Sequence, residues 1–305
     1  MKKRHPLHII PAMLAVLLCT AGTTLPAYAR TLHATQEKQQ AATDRQQETL
    51  KHWKAGQCVS EESIKEYGIH RCFTSEPISD AVFKRIYGKS FKKDCTVPRS
   101  QLRYLKVLHY NTDGKIQLGE IVCHKDISDD LTDIFRNLFK ARYPIERMVL
   151  IDNYNADDEA SMNANNTSCF NFRFVAGSKR LSKHSLGKAI DINPLYNPYV
   201  KKRADGTLIV SPKAGKRYAD RSLDFKHKIT HGDICHKEFI RHGFVWGGSW
   251  KTLKDYQHFE KKVRGKETAK TNYAVGFATR PQEVCQNLSY RKSGFAGSRR
   301  RTNFR

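Results

Sequence analysis

Residues 182–191 constrain the fold more than any other part of the chain, because they set a histidine and a carboxylate seven residues apart. Gly187 stands between His184 and Asp191, where a glycine permits the backbone to turn. From Ala189 onward, Asp191 alternates with two isoleucines in the period-two pattern of a half-buried strand. Asp191 therefore lies on the face opposite the isoleucines and can point into a site.

A second pair of chemically active residues, Asp255 and His258, follows more than sixty residues downstream. Only the tertiary fold can bring His258 to Asp191 across that separation. Two histidines and one carboxylate around an open fourth position are the ligand set of a catalytic zinc ion. The pattern therefore predicts a Zn²⁺ site formed by His184, Asp191 and His258. Hydrolysis also needs a general base, and Asp255 is the candidate because a short segment fixes its separation from His258.

These blocks, Ser-x-His-x-x-Gly-x-Ala-x-Asp and a distant Asp-x-x-His, resemble the zinc D-Ala-D-Ala carboxypeptidase and L-Ala-D-Glu endopeptidase family. Enzymes of this family cut the stem peptides of bacterial peptidoglycan. The similarity extends to residues 168–173, 181–200 and 243–248, and it covers roughly residues 119–260. One position departs from the pattern, since Ser249 stands where members often carry an aspartate. This departure leaves the substrate preference open.

The resemblance implies an α+β fold in which a small antiparallel sheet carries the zinc site and helices flank it, as in hedgehog and D,D-peptidase domains. It implies that Asp255 takes a proton from water on the zinc and passes it to the leaving amine. It also implies that Arg173, placed between two phenylalanines, stabilises the oxyanion or binds a substrate carboxylate. Ser182 and Trp246 are further candidates for substrate contacts. The alternative for Ser182 is a structural hydroxyl at a turn, and the alternative for Trp246 is a side chain packed in the core.

The predicted function is hydrolysis of a peptide bond in peptidoglycan stem peptides, by a carboxypeptidase or by an endopeptidase. These activities differ in pocket shape, which the sequence leaves open. One alternative is a non-catalytic, zinc-containing protein that binds the cell wall, and the presence of Asp255 argues against it. A second is an exported nucleic-acid-binding protein, suggested by charge alone and lacking any binding motif. A further metal site at His231, Cys235 and His236 would need a fourth partner that the spacing does not supply.

Residues 1–29 have the features of a signal peptide. A basic start is followed by an apolar run over residues 7–19, and Ala27-Tyr28-Ala29 forms a cleavage signature. An uncleaved membrane anchor would need a longer apolar stretch. After cleavage no remaining segment is apolar enough to span a bilayer, so we expect an exported protein of the periplasm or cell envelope.

The chain carries a formal net charge of +24, and its natural partners outside the cell are anionic envelope polymers. We expect residues 30–98 to be a polar linker or solvated helix followed by an N-terminal extension. Residues 99–265 would be the zinc peptidase domain, and residues 266–305 a basic tail that binds anionic surfaces. Seven cysteines remain after cleavage, an odd number that leaves at least one thiol without an intramolecular partner.

Local patterns predict several elements of the peptidase domain. Residues 102–122 read as a hairpin that turns at residues 111–114. Ser128 is placed to cap a helix, and residues 148–151 read as a short buried strand. The apolar stripe expected on the helix consists of Leu131, Ile134, Phe135, Leu138 and Phe139. We expect the acidic residues 152–159 to be a solvated loop rather than a metal site, and residues 201–221 to be a surface excursion.

Overall fold

The computed structural model describes residues 25–175 and 177–261. The helices in these ranges are α1 (Leu25–Lys51), α2 (Glu61–Tyr67), α3 (Asp80–Ile86), α4 (Lys125–Lys140), α5 (Asp158–Asn163) and α6 (Ile234–Arg241). The strands are β1 (Cys58–Val59), β2 (Thr74–Pro77), β3 (Leu102–Tyr110), β4 (Ile116–His124), β5 (Ala189–Asp191), β6 (Tyr199–Lys202), β7 (Leu208–Ser211), β8 (Phe244–Trp246), β9 (Lys254–Asp255) and β10 (His258–Lys261). This mixture of helices and small antiparallel sheets is an α+β architecture, as predicted.

The predicted hairpin forms the centre of a four-stranded antiparallel sheet with the order β1-β4-β3-β2. Strands β3 and β4 pair along their whole length, from Leu102 opposite His124 to Tyr110 opposite Ile116. At the turn, the side chain of Asn111 accepts hydrogen bonds from two backbone N–H groups of the loop. The outer strands β1 and β2 come from residues 58–77, so the predicted N-terminal extension contributes to this same sheet.

Helix α4 packs its predicted apolar stripe into the core but begins earlier than predicted. Leu131, Ile134, Phe135 and Leu138 are buried. The helix starts at Lys125, capped by the side chain of His124, which accepts a hydrogen bond from the N–H of Asp126. The predicted cap at Ser128 is therefore wrong. Its hydroxyl is buried in the first turn and donates to a backbone carbonyl, because β4 runs directly into the helix.

Residues 148–151 are buried as predicted but do not form a strand. The carbonyl of Met148 accepts one hydrogen bond from the N–H of Glu120, and the chain then turns into a 3₁₀ helix at Ile151–Tyr154. The acidic stretch that follows is also more ordered than a solvated loop. Asp152 is buried and accepts hydrogen bonds from the backbone and hydroxyl of Ser90, while Asp157 caps α5.

Two further three-stranded sheets build the C-terminal half of the described chain. The first has the order β5-β10-β8, and in it Asp191 lies opposite His258. The second has the order β7-β6-β9, and in it Tyr199 lies opposite Asp255. The hairpin β6–β7 and the 3₁₀ helix after it are exposed over much of their length, which confirms the surface excursion predicted for residues 201–221. Both sheets contribute chemically active residues.

The predicted signal peptide lies largely outside the described residues, and the predicted basic tail lies entirely outside them. Residues 30–51, predicted as a linker or a solvated helix, belong to the helix α1, most of whose side chains are exposed. None of the helices within the described ranges is long and apolar enough to cross a bilayer. The six cysteines of the described chain are all free thiols, and four of them are buried. The division of the chain at residues 29, 98 and 265 stays a prediction.

Gly187 is the position where the fold most clearly requires glycine. Its φ is +63°, a region that side chains disfavour, and a Cβ atom there would lie 2.7 Å from the backbone nitrogen of His124. The carbonyl of Gly187 accepts a hydrogen bond from that same N–H group. This close approach joins the turn that carries His184 to the end of β4.

We expect Gly187→Ala to lower the free energy of unfolding by more than about 2 kcal/mol, because the change adds a backbone collision to the cost of a left-handed residue. Gly114→Ala is the matched control. Its φ is +75° with nothing within 4 Å of the added atom, so it should lose only about 1 kcal/mol. Urea denaturation of both variants measures the difference. Equal losses would contradict the close approach.

Candidate metal centre

The pairing of β5 with β10 places Asp191 and His258 directly opposite each other. Side chains of directly opposed residues in an antiparallel pair leave the same face of the sheet about 5 Å apart. Here Asp191 Oδ1 lies 3.1 Å from His258 Nδ1. Both residues are buried, at 6% and 7% relative exposure, so the face that carries them is covered rather than open to solvent. The strand predicted as half-buried is therefore buried on both faces.

His184 reaches the same point from the 3₁₀ turn Lys183–Leu186, which immediately precedes β5. The hydroxyl of Ser182 caps this turn by accepting a hydrogen bond from the N–H of His184, and Gly187 ends it in the left-handed conformation. The imidazole Nδ1 lies 2.7 Å from the carbonyl oxygen of Cys169, to which it donates. The other ring nitrogen, Nε2, is then left to face Asp191.

The three side chains form a triangle in which the two histidines contact different oxygen atoms of Asp191. His184 Nε2 lies 3.3 Å from Asp191 Oδ2 and 3.2 Å from His258 Nδ1. One ligand atom from each residue lies within 4.8 Å of the other two, so the triangle could hold a metal ion, and it is the one such group in the described part of the chain.

Asp191 and His258 shift each other's pKa in opposite directions. Although burial opposes ionisation, His184 and His258 hold the pKa of Asp191 below its ordinary value. Burial also opposes protonation of His258, but its hydrogen bonds to Asp191 and Glu260 raise its pKa to about 10. A buried carboxylate thus attracts positive charge to its neighbours, which a divalent cation would supply in place of protons.

Asp255 lies on the adjacent strand β9, with an Oδ1 atom that is shielded from solvent and has no hydrogen-bond partner. Burial raises the pKa of its carboxyl to about 7, and the negative charge of Asp191 adds to the rise. A carboxyl with a pKa near neutrality can both accept and return a proton at neutral pH. The predicted general base therefore has a suitable acidity and a free oxygen atom.

Gly247 allows the backbone to approach Asp255 closely. A Cβ atom at this glycine would lie 2.6 Å from the carbonyl oxygen of Asp255 and 2.8 Å from its Cβ. The glycine belongs to the 3₁₀ turn Gly247–Ser249, which follows β8. The Gly-Gly sequence before Ser249 thus has a packing reason, and Ser249 itself is exposed.

Arg173 is half-buried, and its guanidinium forms an ion pair with Asp158 at the start of α5. Its backbone N–H donates to the hydroxyl of Ser185, which fixes this segment beside the turn that carries His184. The positive charge of Arg173 opposes the rise in the pKa of Asp255. Of the two flanking phenylalanines that were expected to pack, Phe172 is buried and Phe174 is exposed.

Ser182 and Trp246 both have structural partners. Ser182 caps the turn described above. Trp246 is buried, its indole N–H donates to the carbonyl of Tyr256, and its ring packs edge-on against His231 and His236. A substrate contact by Ser182 or Trp246 stays a prediction.

The alternative metal site around Cys235 does not form in the described chain. Its thiol is fully buried, while the rings of His231 and His236 lie against Trp246 instead of sharing a ligand position with it. Because Cys235 is buried in the core, its thiol is separated from the rings of His231 and His236.

Two residues near the site were absent from the predicted set. Asp158 pairs with Arg173, and a carboxylate oxygen of Glu260 lies 3.4 Å from His258 Nε2. Trp250, which the sequence offers with Trp246 as a cleft or core residue, has its ring 5.4 Å from that of His258. Glu260 had a sequence signal, since it stands two residues after a candidate ligand and therefore on the same face of a strand. Asp158 had none, because its pairing depends on how α5 packs.

The fold and the site define an α+β protein with a buried His-Asp-His group that could hold a metal ion. Residues 176–261 match a protein-family model described as D-alanyl-D-alanine carboxypeptidase, which confirms the resemblance seen in the motifs. The match contains all three candidate ligands and Asp255 but covers less than half of the 305 residues, and Arg173 precedes it. No curated protein and no solved structure matches the chain.

We expect purified protein to contain about one zinc ion per chain and His184→Ala to lose most of it, because two remaining ligands hold zinc weakly. His236→Ala is the matched control, since this histidine lies outside the triangle. Elemental analysis of the three proteins tests the assignment. Full metal content in His184→Ala, or loss in His236→Ala, would place the metal elsewhere.

Proposed function

We propose that this protein is a zinc-dependent peptidase that hydrolyses a peptide bond in peptidoglycan stem peptides. The observation that carries the proposal is the donor triangle of His184, Asp191 and His258 beside the shielded carboxylate of Asp255. The similarity of residues 176–261 to D-alanyl-D-alanine carboxypeptidases supports the substrate class. A hedgehog-like or D,D-peptidase-like arrangement of the domain is part of the same proposal.

Zinc suits this site better than the hard cations magnesium and calcium, which prefer cages of oxygen ligands. Three protein ligands with two imidazoles among them are typical of catalytic zinc sites, which keep one position for water or substrate. A bound zinc ion would supply Lewis acidity, lowering the pKa of a water molecule from 15.7 toward about 7. His184, Asp191 and His258 would hold it.

Asp255 does the proton transfer in this mechanism. Its unpaired Oδ1 atom accepts the proton of the attacking water, and the carboxyl then returns that proton to the leaving amine. The close contact with Gly247 and the pairing of β9 with β6 fix the carboxylate in place. The protein can thus use one carboxyl as base and then as acid because burial has brought its pKa near neutrality.

Arg173 supplies the positive charge on the substrate side. Its guanidinium would stabilise the oxyanion of the tetrahedral intermediate or bind the terminal carboxylate of a stem peptide. The ion pair with Asp158 holds the arginine in position but also offsets its charge. Binding of a terminal carboxylate would suit removal of terminal D-alanine, and the shape of the pocket would set which bond is cut.

We expect Asp255→Asn to retain zinc and fold but to lose about 10²–10⁴-fold in turnover, because asparagine keeps the shape of aspartate and cannot accept the proton. Asp191→Asn should instead lower the zinc content, and Asp129→Asn on the exposed face of α4 should change neither. The measurement is mass spectrometry of purified peptidoglycan fragments incubated with each protein. Released D-alanine identifies a carboxypeptidase, and internal cleavage identifies an endopeptidase.

Two outcomes of that experiment would count against the mechanism. Equal turnover by the wild type and Asp255→Asn would mean that another group is the base. A wild-type protein that binds zinc and leaves every fragment intact would favour the non-catalytic cell-wall-binding protein.

Export to the periplasm or cell envelope and a surface-binding role for residues 266–305 are further parts of the proposal. Deletion of residues 299–305 removes four arginines. We expect it to weaken co-sedimentation with purified cell walls at low salt and to leave turnover of a soluble peptide unchanged. Added salt should have the same effect as the deletion, because it screens exposed charges. Loss of turnover would place these residues in the active domain.

A further inference from the structure

His258 and Glu260 stand two residues apart on β10, so their side chains leave the same face of the strand. The carboxylate oxygen Oε2 of Glu260 lies 3.4 Å from Nε2 of His258. His258 is buried, whereas the side chain of Glu260 is 25% exposed to solvent. The glutamate therefore lies on the outer side of the imidazole, away from Asp191.

The distances within the triangle decide which ring nitrogen of His258 faces its centre. Nδ1 lies 3.1 Å from Asp191 Oδ1 and 3.2 Å from His184 Nε2, so Nδ1 is the inward atom. An imidazole that binds a metal through Nδ1 carries its remaining proton on Nε2, and that proton needs an acceptor when the ring is buried. Glu260 is the acceptor within reach.

The two histidines are held in opposite orientations. His184 turns Nε2 inward and donates from Nδ1 to the carbonyl of Cys169 at 2.7 Å. His258 turns Nδ1 inward and directs Nε2 to Glu260. The hydrogen-bond acceptor of His184 is a backbone carbonyl, whose position the fold fixes. The acceptor of His258 is the side chain of Glu260. The orientation of His258 thus depends on one side chain that can be changed without altering the backbone.

We propose that Glu260 is a positioning residue that selects the Nδ1-coordinating form of His258 and thereby strengthens the metal site. This inference rests on the zinc-dependent function proposed above. Glu260 itself would touch neither the metal nor the substrate. Partners in this position orient the imidazole and raise its basicity, and their loss typically lowers metal affinity about 10–100-fold. The negative charge of Glu260 also favours a cation bound nearby.

Lys183 provides the competing explanation for Glu260. It stands next to His184 in the 3₁₀ turn, and its positive charge contributes to holding the pKa of Glu260 below the ordinary value, behind the hydrogen bond to His258. Glu260 could then serve only to pair with Lys183 and tie β10 to the turn. The two roles differ in what they change, since an ion pair alters the stability of the metal-free protein and leaves His258 unaffected.

The experiment compares the zinc affinity of the full chain with that of three variants, by competition with a chromophoric chelator after the metal has been removed. Glu260→Gln removes the charge and keeps the size. Lys183→Met removes the competing partner. Glu76→Gln is the matched control, because Glu76 is also a half-buried strand glutamate and pairs with Lys106 away from the triangle. We expect Glu260→Gln to bind zinc 10–100-fold more weakly. The other two variants should stay within about threefold of the wild type.

A second readout separates positioning from stability. In ¹⁵N spectra of the histidine rings of the zinc-loaded wild type, we expect His258 to carry its proton on Nε2 with slow exchange. Glu260→Ala should lose that protection while the ring of His184 keeps its own. Urea denaturation of the metal-free variants then shows whether the fold has been weakened.

Unchanged zinc affinity in Glu260→Gln would overturn the inference, and so would an equal loss in Lys183→Met. These outcomes leave the proposed peptidase function standing, because the wild type still binds zinc in them. A wild type that binds no zinc would overturn the metal site and the role of Glu260 together.

Discussion

A buried carboxylate opposite a buried histidine is the constraint on which the site depends. The register of β5 and β10 sets Asp191 against His258 with almost no solvent around either side chain. An isolated charge in that position would be costly, so the carboxylate needs compensating positive charge nearby. His184 completes the arrangement from the preceding turn. The negative charge that makes burial of Asp191 unfavourable also makes the site suitable for a cation.

The surrounding elements hold that arrangement from several directions. Strand β4 ends against the turn at Gly187, and the carbonyl of Cys169 orients His184. A neighbouring sheet brings Asp255 to the other side, where Gly247 leaves just enough room for it. The β5-β10-β8 sheet supplies Asp191 and His258, and the β7-β6-β9 sheet supplies Asp255.

Charge is distributed unevenly in this basic protein. Lysine and arginine outnumber aspartate and glutamate by 54 to 30 over the whole chain, yet carboxylates gather around the candidate centre. Asp191 contacts the two histidines, Asp255 has a carboxylate oxygen that is shielded from solvent, Glu260 contacts His258, and Asp158 pairs with Arg173. These four carboxylates therefore have distinct surroundings.

The sequence by itself determined what depends on residue type and on neighbours along the chain. It predicted the hairpin at residues 111–114, the apolar stripe of α4 and the types of side chain in the candidate centre, because turns, helical periodicity and donor chemistry are local properties. The tertiary structure decided the rest. Only strand register set Asp191 opposite His258 and Asp255 opposite Tyr199, and only packing left residues 148–151 without a strand partner. Hydrogen-bond partners and burial come from distant segments, whose approach no local pattern encodes.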